Sequence, residues 1–178
     1  LPGLIDAHTH MFNQRKPKGT TEDYMLIAVQ NVQADLRAGF TAARDMTSHG
    51  NGYGDVSIRN AINEGRIDGP RYQVSTKGIV WGAMPPNPAV PENPLASTVV
   101  RSVEEARAAV REQIAHGADW IKLYPAGAYS FTARGQDQYE VTYPLPVVQA
   151  LIDETHRRAR FWAAFGERLE RLLRHEPS

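Results

Sequence analysis

Along this chain, segments with the apolar spacing of strands alternate with segments that have the apolar spacing of helices. A short apolar run over residues 4–8 is typical of a strand, and apolar residues at helical spacing follow over residues 24–38. The same succession of strand and helix recurs three more times. The further predicted strands cover residues 40–44, 71–76 and 118–124, and the further predicted helices cover residues 55–64, 102–116 and 145–158. Four strand–helix units in series predict an α/β fold with a parallel sheet, either a barrel or a doubly wound sheet.

The ends of the predicted helices carry typical capping residues. Thr20 precedes Asp23 by three positions, and Ser102 precedes Glu105 in the same way. In this pattern the hydroxyl caps a free amide of the first turn, and the acidic side chain reaches back to the cap residue. A glycine, which ends helices readily, follows three of the four helices at Gly39, Gly65 and Gly117.

Two long loops follow predicted strands. Residues 78–98 contain five of the twelve prolines, so we expect no regular structure there. Residues 125–144 are rich in glycine and aromatic residues. Both loops would lie at the carboxyl edge of the sheet, where loops commonly carry function. We therefore expect Tyr124, Tyr129 and Tyr139 to contribute to a substrate-binding surface, with a disordered insertion as the alternative.

The last residues differ in character from the rest of the chain. Trp162, Phe165, Leu169 and Leu172 recur at helical spacing with charged residues between them. We therefore divide the chain into a domain over residues 1–158 and an amphipathic helix over residues 159–178. This helix could fold onto its own domain or mediate self-association, and the pattern leaves both open.

The amino-acid composition of the chain limits the classes of function to be considered. The chain has 178 residues, of which 42% are hydrophobic, and its 20 basic residues balance 20 acidic residues. This is typical of one soluble domain and gives no reason to expect binding to nucleic acid or membrane. The chain has no cysteine, which excludes thiol chemistry. We expect a cytoplasmic protein, although a removed signal peptide would leave no trace.

A pair of histidines suggests metal binding. His8 and His10 lie at the end of the first strand, and alternation along a strand places them on one side. Two imidazoles can hold one ion, with zinc favoured, although such a pair is also common by chance. Lys122 lies in an otherwise apolar strand, where burial lowers the pKa of an amine unless the side chain reaches solvent. A neutral lysine can react with carbon dioxide to form a carbamate, an anionic oxygen ligand.

Three segments, LPGLIDAHTH, AGFTAARD and GADWIKLYPAG, resemble the amidohydrolase superfamily. In order and separation they are most similar to its metal-dependent Xaa-Pro dipeptidase and imidazolonepropionase-like branch. The resemblance implies a (β/α)8 barrel in which His8 and His10 bind one divalent metal ion, with zinc favoured. It further implies that Lys122, when carboxylated, bridges this ion to a second one.

The resemblance covers about half of such a barrel. Family members also use a histidine after the fifth strand, another after the sixth and an aspartate after the eighth, and this chain has no segment that matches them. We therefore expect a partial barrel of four strand–helix units. Its open edges would be covered in a homo-oligomer, which we favour, or by the 159–178 helix and the proline-rich loop.

Asp45 and His49 follow the second strand and would lie near the two histidines. Asp45 is the candidate for proton transfer, and His49 for substrate binding or as a substitute ligand. The function predicted is a metal-dependent hydrolase that acts on amide, peptide, ester or lactone bonds of a small or dipeptide-like substrate through a metal-activated water. The alternative is a truncated, catalytically inactive fragment that oligomerises.

Overall fold

A computed structural model describes residues 2–12, 19–82, 94–125, 130–131, 137–138 and 143–158. The helices are α1 (Thr21–Arg37), α2 (Gly54–Asn63), α3 (Val103–Ala115) and α4 (Leu145–Arg158). The strands are β1 (Leu4–Thr9), β2 (Phe40–Asp45), β3 (Arg71–Val74), β4 (Gly78–Trp81), β5 (Ser97–Val100), β6 (Ser130–Phe131) and β7 (Asp137–Gln138). The predicted helix over residues 159–178 and the side chains of Tyr129 and Tyr139 lie outside the described residues.

The first three strands form a parallel sheet in the order β1-β2-β3. Asp45 at the end of β2 pairs with Thr9 on one side and with Val74 on the other. The carboxyl ends of all three strands therefore meet at one edge. The α/β class with parallel strands is confirmed, and the described strands do not close into a barrel.

The segment 118–124 differs from its prediction as a full strand. Among the described residues, its only ladder contact is a parallel bridge between Leu123 and Ile79, while the amides of Asp119 and Trp120 both donate to the carbonyl of Val74. The neighbouring backbone between these two contacts turns at Thr76, whose φ is 59°. This turn interrupts the row of partners, so a continuous ladder cannot form.

The prediction that residues 78–98 have no regular structure is wrong at both ends of the segment. There β4 and β5 pair in parallel, from Gly78 opposite Ser97 to Trp81 opposite Val100. The five prolines all lie between residues 85 and 94, whereas the paired ends are rich in β-branched residues, which favour strands. Proline content therefore failed to predict the strands at the ends of this segment, and its middle, residues 83–93, lies outside the described residues.

The predicted helix ends are confirmed. Thr20 accepts a hydrogen bond from the amide of Asp23, and the carboxylate of Asp23 accepts one from the amide of Thr20. Ser102 Oγ accepts a bond from the amide of Glu105 at 3.1 Å, but the Glu105 carboxylate accepts the amide of Arg101 at 2.6 Å and not that of Ser102, so only half of the predicted pattern forms there. The three glycines that follow the helices have φ of 68° to 97°, which other residues rarely adopt.

The helices bury two apolar clusters. One lies between α1, α2 and the first sheet and includes Ala28, Val32, Ile58, Tyr72 and Val74. The other packs α3 and α4 on β4 and β5 and includes Ile79, Val110, Leu123, Val148 and Leu151. None of the described helices is long and apolar enough to cross a membrane.

Candidate metal centre

The two histidines of the opening motif lie at the end of β1. His8 is exposed and His10 is half-buried, and their ring centroids are 5.2 Å apart. The carboxylate of Asp6 accepts a hydrogen bond from the amide of His8 at 3.0 Å, which helps to fix the strand end. The rings are near enough for both imidazoles to approach one ion.

His49 is brought against this pair by the loop after β2. Its ring packs edge to face on that of His10, with centroids 4.2 Å apart. His49 has φ of 47°, a left-handed conformation that is uncommon for a residue with a side chain. The loop therefore holds His49 in one particular conformation beside His10.

Lys122 lies close to all three histidines although it is far from them in sequence. Its side chain is buried, and its charge adds to the effect of burial in lowering the pKa of His8, His10 and His49. Burial, followed by the positive charge of Arg44, lowers the pKa of Lys122 itself. The neutral amine, which is the form that reacts with carbon dioxide, is therefore more accessible here than in an exposed lysine.

The electrostatics of the centre favour unprotonated imidazoles. Burial, the neighbouring histidines and Lys122 lower the pKa of His10 to about 3, while a backbone hydrogen bond with Thr47 acts in the opposite direction. His10 Nδ1 is buried and has no hydrogen-bond partner. A neutral imidazole is the chemical state that a metal ion requires.

These donors fit a metal ion as part of a ligand set. Within the described residues, no three His, Cys, Asp or Glu side chains are arranged to hold an ion by themselves. His8 and His10 would therefore need the nitrogen of Lys122, or a carbamate oxygen formed on it, to complete a set of three.

Asp45 lies behind His10 and is completely buried. Its carboxylate accepts hydrogen bonds from the amides of Met11 and Thr47, both at 3.2 Å, and from the hydroxyl of Tyr72. One oxygen is 3.9 Å from His10 Nδ1. Burial and the nearby carboxyl group of Asp55 raise the pKa of Asp45 to about 8, against the effect of these hydrogen bonds. The contacts suit a group that supports the strand ends, and its proposed proton transfer remains a prediction.

Arg44 and Trp120 lie next to the centre on the sheet face opposite the helices. The guanidinium of Arg44 stacks 4.6 Å from the Trp120 ring, and Arg44 Nε donates to the carbonyl of Ala7 at 2.7 Å. Trp120 Nε1 donates to Gln73 at 2.8 Å. This layer places a fixed positive charge beside His8 and Lys122.

Tyr124 is half-buried, and its ring centroid is 5.1 Å from Lys122 Nζ. It is thus near enough to the centre to contact a substrate, and that role remains a prediction.

Sequence reasoning missed Asp55 and Thr76, which are both completely buried behind the His49 loop. An aspartate at the start of a helix is usually interpreted as a helix cap, so the sequence pattern gave no sign that Asp55 is a buried residue near the site.

Comparisons with known proteins identify the family of this chain. Residues 1–160 match the profile of the amidohydrolase family. Among solved structures, the chain is similar to a Xaa-Pro dipeptidase with bound methionine in the active site (TM-score 0.74, 27% identity, 91% of this chain and 42% of that chain). It is also similar to an amidohydrolase (TM-score 0.67, 30% identity, 89% of this chain and 41% of that chain).

Ochratoxinase from A. niger shares the fold at 22% identity and a TM-score of 0.69, covering 88% of this chain and 41% of that chain. No match was found among the curated proteins. The chain spans about 40% of the length of the solved structures it matches. Because the family profile covers nearly the whole sequence, the chain belongs to the amidohydrolase family.

Proposed function

We propose that this chain contributes the first half of the active site of a metal-dependent hydrolase. The observation that carries the proposal is the grouping of His8, His10 and Lys122 at one end of the sheet, where burial, followed by neighbouring positive charges, lowers the pKa of each. His10, with a pKa of about 3, is unprotonated at neutral pH, which is the state in which an imidazole binds a cation.

His8, His10 and Lys122 would hold one or two divalent ions, with zinc favoured by the imidazoles. When bound, the metal activates a water molecule and polarises the carbonyl group under attack. The neutral form of the Lys122 amine would add to carbon dioxide and release a proton to solvent, which converts the side chain into an anionic carbamate. This step would turn a buried base into an oxygen ligand and place a negative charge near Arg44.

The bond to be cleaved is proposed as an amide, peptide, ester or lactone bond of a small substrate. The support comes from two structural relatives. One is a Xaa-Pro dipeptidase with bound methionine, and the other is a prolidase complexed with N-methylphosphonate-L-proline, which is 27% identical to this chain. A dipeptide-like substrate is therefore the first class to test, with Tyr124 and His49 as contacts at the carboxyl edge of the sheet.

Metal analysis tests the proposal directly. The full chain, purified without chelator from zinc-containing medium, should carry about one equivalent of metal or more when measured by mass spectrometry. The double variant His8→Ala/His10→Ala should lose most of it, since at least two ligands are removed. His156→Ala is the matched control, because His156 is exposed on α4. Metal-free wild-type protein, or equal metal in the double variant, would contradict the proposal.

A further inference from the structure

A second buried carboxyl group lies behind the metal centre. Asp55, in the first turn of α2, has no exposed surface. One of its oxygens accepts the amide of Val56 at 2.9 Å, as expected of a residue in a first helical turn. Its other oxygen is directed away from the helix and accepts the amide of Thr76 at 2.7 Å. Asp55 therefore joins α2 to the turn between β3 and β4.

The turn held by Asp55 is conformationally strained. Thr76 has φ of 59°, which is rare for a β-branched residue. Its hydroxyl lies 2.6 Å from the side-chain oxygen of Gln113 on α3, which is itself fully buried. A backbone conformation of this kind persists only where surrounding contacts hold it, and the Asp55 carboxyl group is one of those contacts.

The strained turn at Thr76 also supports the loop that carries His49. The carbonyl of Thr76 accepts the amide of Ser48 at 3.1 Å, and Ser48 Oγ donates to the carbonyl of Gly52 at 2.6 Å. Two residues of this loop, Thr47 and His49, also have positive φ. The ring of His49 then contacts that of His10. A continuous path of contacts thus leads from Asp55 through Thr76 and Ser48 to the histidines.

We propose that Asp55 is a positioning residue, which fixes the turn at Thr76 so that the His49 loop sets the ring of His10 in its ligand orientation. The part of the proposal that concerns metal affinity rests on the proposed function. The part that concerns ring geometry does not, because the contacts are formed in the chain without metal. Groups that orient a metal ligand from behind commonly contribute ten- to a hundredfold to metal affinity.

The test uses three substitutions in the full chain. Asp55→Ala removes the acceptor, Asp55→Asn keeps one oxygen for Thr76, and Thr76→Gly makes the left-handed turn favourable without Asp55. Asp68→Ala, at an exposed position after α2, is the control. Two readouts are taken: the NMR resonances of the histidine rings in metal-free protein, and the dissociation constant for Co²⁺ from its visible spectrum.

Asp55→Ala should shift the ring resonances of His49 and His10 and weaken Co²⁺ binding by about tenfold to a hundredfold. Asp55→Asn should stay near the wild type, and Asp55→Ala/Thr76→Gly should recover part of the loss. If Asp55→Ala does not fold, Asp55→Ser replaces it, because serine retains helix-capping ability but its hydroxyl is too short to reach Thr76.

A folded Asp55→Ala or Asp55→Ser variant with wild-type ring resonances and wild-type Co²⁺ affinity would overturn the proposal, even if its melting temperature fell. That result would leave Asp55 with a structural role only. If the wild-type chain binds no Co²⁺, the proposed function fails, while the ring resonances of the metal-free variants still decide the role of Asp55.

Discussion

Tyr124 packs directly over the backbone of Gly78, and the absence of a side chain at Gly78 makes this contact possible. A Cβ atom at position 78 would lie 2.3 Å from Tyr124 Cε2 and 3.3 Å from Thr47 Cγ2. Those two residues flank the metal centre on different loops, so one glycine sets the distance between them. The glycine is visible in the sequence, but its neighbours are 31 and 46 residues away along the chain.

Gly78→Ala should therefore destabilise the protein. The added methyl group forces Tyr124 or the strand to move, and such overpacking costs about 1–3 kcal/mol of unfolding free energy. Urea unfolding measures this loss. In a Tyr124→Leu background the cost of Gly78→Ala should be smaller, because the ring atom that clashes is gone. An equal cost in both backgrounds would show that Tyr124 is not the source of the strain.

Asp55 makes stability depend on pH. Burial raises its pKa to about 7 from an ordinary value of 3.8, against the opposing effect of the hydrogen bonds from Thr76 and Val56. At pH values between these two pKa values, Asp55 is deprotonated in the unfolded chain and protonated in the folded chain. Folding therefore takes up a proton. The unfolding free energy contributed by this group therefore falls as pH rises from about 4 to 7.

Asp55→Asn cannot titrate, so its unfolding free energy should decline less steeply than that of the wild type over this pH range. Urea unfolding at several pH values between 4.5 and 7.5 provides the comparison, with Asp68→Asn as an exposed control. Parallel pH profiles for the wild type and Asp55→Asn would contradict the raised pKa.

At the scale of elements, local signals predicted the helices well. The caps at Thr20 and Ser102 and the glycines after the helices act over three or four residues, so their geometry follows from neighbours in sequence. The strands were predicted less well, because pairing depends on residues far away. The segment 118–124 has a strand-like sequence, yet the turn at Thr76 leaves it one bridge.

Ser102→Ala should weaken α3 by about 1 kcal/mol, since the amide of Glu105 loses its side-chain acceptor. The loss is read from urea unfolding. Ser57→Ala is the matched control: Ser57 is exposed within α2, where alanine is the better helix former, so this change should be neutral or slightly stabilising. If both variants lost the same stability, the cap would not be the cause.

At the scale of the whole molecule, β1 is an edge strand of the first sheet among the described residues. Two of its apolar residues, Leu4 and Ile5, are 55% and 73% exposed. An apolar strand with an unpaired edge favours association with another chain. A homo-oligomer remains our prediction for this surface.

Ile5→Lys tests this prediction. If β1 contacts a second copy, a charge at this position should shift the protein towards monomer, as measured by size-exclusion chromatography with light scattering. Leu26→Lys is the control, because Leu26 is similarly exposed at 66% but lies on α1. A wild-type protein that runs as a monomer at the same concentration would refute the oligomer.

The sequence by itself determined the family, the α/β class and the helix ends, and it singled out His8, His10 and Lys122 as candidates, because each depends on local spacing or on short motifs. Only the tertiary structure placed His49 against His10 and enclosed Asp45 and Asp55 behind them. These contacts join side chains that are distant along the chain, and whether a carboxyl group is buried depends on the packing of separate helices and strands. The candidate ligands thus lie in short motifs of the sequence, while the orientation and protonation of their side chains depend on the fold.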